Sequence, residues 1–136
     1  MKRLFFFFLF IFLLVCPAFS AFQLVTGIDD PNIKDIAISH FYPDTIYVAS
    51  FNSLYKSKDG GKTFVEVFSF VDQEIQQIFF DSNISNILYV VGSEHFYQIT
   101  DGKKRLFTSE DEDEILSAAE LKGCLYLGTT DGLYLA

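Results

Sequence analysis

The chain is predicted to be all-β, and three observations predict it. Ile33, Ile36, Ile38, Ile46, Tyr47, Val48, Leu54 and Tyr55 recur without a gap 42 residues later, as Ile75, Ile78, Phe80, Leu88, Tyr89, Val90, Phe96 and Tyr97. Each copy reads as short β-branched and aromatic runs, such as Ile36-Ala37-Ile38 and Ile46-Tyr47-Val48-Ala49, punctuated by Pro43-Asp44, Asn52-Ser53, Asn83 and Asn86. Beyond the N-terminal segment, no apolar stripe at i, i+3, i+4, i+7 is long enough for a core helix. A period of ~40–45 residues carrying four short strands is that of a propeller blade. The expected architecture is an incomplete β-propeller of about two and a half four-stranded blades after an N-terminal signal segment. The repeats fall at about 33–74, 75–114 and 115–136.

The first element is the signal. Met1-Lys2-Arg3 precedes twelve apolar residues, Leu4 to Val15, and Pro17 and Ala18-Phe19-Ser20 follow. That is the order of a secretory signal, with small residues at −3 and −1 of a cut before Ala21. The expected fate is cleavage of residues 1–20 and release to the periplasm or the outside. The alternative is an uncleaved membrane anchor, with Phe19 and Phe22 extending a run that falls short of the ~18–20 residues of a span. A lipid on Cys16 would require a small residue where Val15 stands.

The first repeat carries the chain's most specific stretch, Ser57-Lys58-Asp59-Gly60-Gly61-Lys62-Thr63-Phe64, which fits Ser-x-Asp-x-Gly-x-Thr-aromatic. A tight turn between strands requires residues that tolerate positive φ, and Asp-Gly or Gly-Gly supplies them. Asp59 is expected to accept backbone N–H groups across the turn, with Ser57 and Thr63 adding hydroxyl bonds. Gly61 serves the turn, and Phe64 leaves it as an apolar anchor. A calcium loop would need several oxygen ligands at fixed spacing, and here one carboxylate stands between Lys58 and Lys62.

In the second repeat the corresponding turn, Tyr97-Gln98-Ile99-Thr100-Asp101-Gly102-Lys103, keeps only the Asp-Gly. The run Glu110-Asp111-Glu112-Asp113-Glu114 then reads as a solvated loop. Its consecutive spacing lacks the alternation that converges calcium ligands. The third copy opens with Glu114-Ile115, matching Glu74-Ile75, loses three residues from a loop, and resumes at Leu125-Tyr126-Leu127-Gly128. This match makes Ile115 to Ala119 an innermost strand, against a competing helix over Glu110 to Leu121. Cys124 aligns with Ile87 and is expected to be buried and apolar. It is the one cysteine after the signal, so no intramolecular disulfide is expected.

Without the signal the charge is 8 − 18 = −10, and no basic patch interleaves with aromatics, so nucleic acid is not an expected partner. His40 and His95 lie near turns without a ligand-spaced Cys or His, so neither metal nor cofactor is expected. There is no nucleophile elbow and no phosphate-cradling glycine loop. Asp44, Asp72 and Asp81 are the candidate carboxylates for glycoside hydrolysis, but nothing selects a pair, and turn and loop roles are expected of them. No catalytic residue is assigned.

The turn and its flanks resemble the Asp-box, or bacterial neuraminidase repeat, of certain β-propellers, in which the last position is usually Trp. Ile46-Tyr47-Val48-Ala49-Ser50, followed by Leu54-Tyr55-Lys56-Ser57, is most similar to repeats of the photosystem II stability and assembly factor family and related exported propellers. The resemblance covers about residues 33 to 136. It implies a structural box formed by Ser57, Asp59, Gly61, Thr63 and Phe64, on a blade periphery rather than in an active site. Sialidases of this superfamily bind substrate with three arginines and the assembly factors have an arginine-rich patch, whereas Arg105 is the one arginine here after the signal.

The expected function is an exported non-catalytic scaffold or binding module with an unidentified protein or carbohydrate ligand. The alternative is the N-terminal part of a carbohydrate-active enzyme whose catalytic residues lie outside this chain. Because the third copy stops at Ala136, the chain is expected to be a fragment, or a protomer that completes a propeller by self-association.

Overall fold

A computed structural model describes residues 23–71, 73–107 and 114–135; the signal segment, Asp72 and residues 110–113 of the acidic run lie outside them. Among the described residues, eleven strands form three antiparallel sheets. The first holds β1 (Asp35–Ile38), β2 (Ile46–Ala49), β3 (Ser53–Ser57) and β4 (Val65–Ser69), in chain order. The second holds β5 (Ile75–Phe80), β6 (Ile87–Gly92), β7 (Phe96–Thr100) and β8 (Lys103–Phe107), and the third β9 (Ile115–Leu121), β10 (Cys124–Thr129) and β11 (Leu133–Leu135). No helix among the described residues is long and apolar enough to cross a membrane.

Pairing of the innermost two strands reproduces the repeat residue by residue. Asp35 pairs with Ala49 and Ile36 with Val48; in the second sheet Gln77 pairs with Val91 and Ile78 with Val90; in the third Ser117 pairs with Gly128 and Ala118 with Leu127. Side chains alternate between faces along a strand. Here both faces of an inner strand meet a neighbouring sheet, so Ile87-Leu88-Tyr89-Val90-Val91 reads as a continuous apolar run. The edge strand β8 instead carries Lys103, Lys104 and Arg105, charges that discourage pairing with another chain.

The core lies between sheets. Ala37, Tyr47, Ala49 and Leu54 of the first sheet pack on Ile78, Leu88, Val90 and Ile99 of the second. One register on, Phe79, Tyr89, Val91 and Phe96 pack on Ile115, Ala118, Leu125 and Leu127 of the third. Each junction thus uses the same positions of the repeat, as blades do.

Two expectations about the third copy meet this arrangement differently. Ile115 to Ala119 lies within β9, so the described part of the helix candidate is strand. Cys124, however, is exposed, not buried. Its equivalent Ile87 is flanked in the sheet by Thr100 of β7, whereas β11 pairs with β10 only from Tyr126 to Gly128. Without a third strand alongside it, a residue at this position gains no cover.

Candidate functional site

The loop Ser57–Phe64 joins β3 to β4, and Gly60 and Gly61 take φ of 71° and 87°. Asp59 organises it. Its Oδ1 accepts the backbone N–H groups of Lys62 and Thr63, both at 3.0 Å, and the Ser57 hydroxyl at 2.7 Å. Its Oδ2 accepts the Thr63 hydroxyl at 2.6 Å. Ser57 Oγ in turn accepts the Gly61 N–H at 2.9 Å. The Thr63 hydroxyl, then the Thr63 N–H and the Ser57 hydroxyl, hold the Asp59 carboxyl well below the ordinary carboxylate range. All of these donors bind the charged form.

Phe64 folds back over the outer face of its sheet, where it is buried with Val48 and Tyr55, and Ile28 and Ile46 pack beside them. Gly60 also donates its N–H to the Asp44 carbonyl at 3.0 Å, tying the hairpin to the β1–β2 loop. The five box residues therefore form one compact unit whose polar groups are turned inward on the turn. In the second sheet the turn has shrunk to Asp101 and Gly102, with φ of 52° and 74°, values typical of a two-residue hairpin turn.

Of the other carboxylates singled out in the sequence, the two described ones, Asp44 and Asp81, sit in loops of different sheets. Asp44 is exposed in the β1–β2 loop. Asp81 is buried and accepts the N–H groups of Asn83 at 2.8 Å and Ile84 at 2.9 Å and the Tyr89 hydroxyl at 3.0 Å. Burial, reinforced by that bond and the Asp81 charge, pushes the Tyr89 hydroxyl up to about 12. Glu120 on β9 accepts the Ser82 N–H at 3.1 Å and the N–H of Gly123. Its carboxyl is lowered by the Ser82 hydroxyl and then by the Gly123 amide. His40 lies in the β1–β2 loop and His95 at the opposite end of the sheets, between β6 and β7. Among the described residues no group of three or more His, Cys, Asp or Glu is placed to hold a metal ion.

What sequence reasoning missed is a groove of about 530 Å³ between the first and second sheets, opening on the rim that carries the Ser57–Phe64 turn. Tyr42, Tyr47 and Phe80 line it together with Lys56, Lys58 and Asn86. Lys56 Nζ lies 4.9 Å from the Tyr47 ring centroid, and Tyr47 meets Phe80 edge-on at 5.8 Å. The signal was present in the repeat alignment, because Lys56 and Lys58 stand where the second copy has Gln98 and Thr100.

Neither a family model nor a curated protein sequence matches the chain. Solved structures do. An ancestral GH74 enzyme is similar with a TM-score of 0.69 and 15% identity, over 84% of this chain and 18% of the other. YCF48 from Cyanidioschyzon merolae gives 0.59 and 19%, over 76% and 36%. The extracellular domain of a one-component system from B. thetaiotaomicron gives 0.66 and 19%, over 84% and 16%. At such identities the likeness shows the fold alone, that of β-propeller blades. The chain spans between 16% and 36% of the length of these three structures.

Proposed function

We propose that this chain is an exported, non-catalytic β-propeller module that binds or scaffolds, forming part of a larger propeller. The observation that carries this reading is the engagement of three of its carboxylates in hydrogen bonds. Asp59, Asp81 and Glu120 each accept two or more hydrogen bonds from backbone N–H groups or neighbouring side chains. A general acid needs a raised pKa and a nucleophile needs an open approach, and glycosidases set two such groups across a cleft. Carboxylates bound this way stabilise turns. The inter-sheet groove offers ligand-sized space instead, within the ~300–1,000 Å³ of small-molecule sites.

Export is part of the proposal and rests on the order Lys2-Arg3, apolar run, Ala18-Phe19-Ser20. The test has two arms. Protein recovered from a secreting bacterial host is expected to begin at or near Ala21 by mass spectrometry. Incubated with a panel of oligosaccharides, it is expected to release no product. Turnover that disappears when Asp81 or Glu120 is changed to its amide would replace this reading with an enzymatic one.

A further inference from the structure

The two junctions between sheets are built from the same repeat positions, yet they end differently on the rim of the Ser57–Phe64 turn. At the second junction the positions are Tyr89, Gln98 and Glu120, and the Glu120 carboxylate reaches across to the Ser82 N–H and the Asn83 amide, at 3.1 and 3.4 Å. At the first junction they are Tyr47, Lys56 and Phe80, with Lys58 in place of Thr100. On this rim no side-chain carboxylate crosses between the sheets among the described residues, and the space remains open as the 530 Å³ groove. The second junction is closed by an anion that the chain itself supplies. The first has two lysines in its lining and one carboxylate, Asp101, which the Asn86 amide engages at 2.8 Å; among the described residues, neither Lys56 nor Lys58 has an ion-pair partner. His40, which aligns with Ser82, has an N–H without a partner among the described residues.

We propose that the groove between the first two sheets binds a carboxylate-bearing sugar, a uronate within an acidic oligosaccharide. The carboxylate is held by the ammonium groups of Lys56 and Lys58, which line the groove without an ion-pair partner among the described residues. Charge-assisted hydrogen bonds are about twice as strong as neutral ones, which allows a local pair of cations to hold an anion on a chain of net charge −8. The sugar ring lies against Tyr42, whose exposed ring presents apolar area with a hydroxyl at the tip. The Asn86 amide, which now donates to Asp101 Oδ1 at 2.8 Å, is within the groove to meet ring hydroxyls. A mixture of aromatic, amide, hydroxyl and ammonium groups suits a ring of hydroxyls bearing one charge. An acidic peptide, which basic clusters also recognise, is the competing occupant that the experiment tests.

This inference rests on the binding-module reading, and the experiment separates the two. The full chain is titrated calorimetrically with a galacturonate trisaccharide, with the neutral galactose trisaccharide and with triglutamate. The comparison protein carries Lys56→Gln and Lys58→Thr, the residues that the second repeat already uses at these positions. The uronate is expected to bind the native chain and to bind the double variant at least about tenfold more weakly, with binding weakening as salt is raised. In the native chain, the Asn86 side-chain amide resonances are expected to shift on adding the uronate, a readout that does not depend on the variant folding. No uronate binding, equal affinity in the double variant, or tighter binding of triglutamate would overturn the site. Equal affinity would still leave a binding module. Cleavage of the trisaccharide, lost with the double variant, would support the groove and overturn the non-catalytic reading.

Discussion

Asp35 on β1 accepts a hydrogen bond at 2.8 Å from the backbone N–H of Ile78 on β5, joining the innermost strands of neighbouring sheets. The equivalent residue one repeat later, Gln77, accepts the Ala118 N–H of β9 at 3.4 Å. The same register position thus links each sheet to the next. Chemistry changes from carboxylate to amide, but the acceptor oxygen is kept. Ser117 occupies this position in the third sheet.

The link predicts a graded mutational result. Asp35→Ala leaves the part-buried Ile78 N–H without a partner and is expected to cost about 1–3 kcal/mol. Asp35→Gln, which imitates the second repeat, is expected to recover a large part of that. Urea unfolding midpoints check both, and equal loss in the two variants would mean that charge rather than the acceptor oxygen matters.

Phe64 is 8% exposed and closes a small cluster on the outer face of the first sheet. Phe64→Ala is expected to cost about 3 kcal/mol, the low end for a buried ring, because few neighbours surround it. The thermal midpoint should fall while uronate binding in the groove, on the other face of the sheet, persists.

The acid limb of stability should carry the signature of Asp59. Its folded pKa lies below the ordinary 3.8, so its contribution is present in full above about pH 4 and is lost as pH falls through the depressed value. Asp59→Asn removes that contribution. The gap in melting temperature between native and variant proteins is therefore expected to be widest near neutral pH and to narrow steadily below pH 4. A gap independent of pH would assign the effect to geometry instead of charge.

Cys124 is exposed at the start of β10. It is expected to react with a maleimide at close to the rate of a free thiol under native conditions, and without prior unfolding. Protection until denaturation would restore the burial inferred from its alignment with Ile87.

Apolar surface remains open at both ends of the array. Leu133 is 74% exposed although its equivalent Phe96 is fully buried, and Ile36 is 57% exposed against 3% for Ile78. The chain from Ala21 onward, on its own, is accordingly expected to bind a hydrophobic dye or to associate on light scattering. Leu133→Lys with Leu135→Lys should reduce that association; a dye-silent monomer would contradict it.

The sequence by itself determined the repeat, the strands and the hairpin turns. These are local properties: the β-branched and aromatic run Ile46–Ala49, positive φ at Gly60 and Gly61, and acceptor chemistry at Asp59 act within a few residues of one another. Register was legible too, because an ungapped 42-residue offset forces equivalent residues onto equivalent faces. Tertiary structure decided everything that depends on which sheet faces which. Ile36 and Ile78 look alike in the sequence, but only Ile78 has a sheet packed against it. Cys124 and Ile87 align, but only Ile87 has a third strand alongside. The groove is likewise a property of a junction. Lys56 and Phe80 lie on different sheets 24 positions apart, and their meeting follows from the packing of two repeats, which no local rule of the chain expresses.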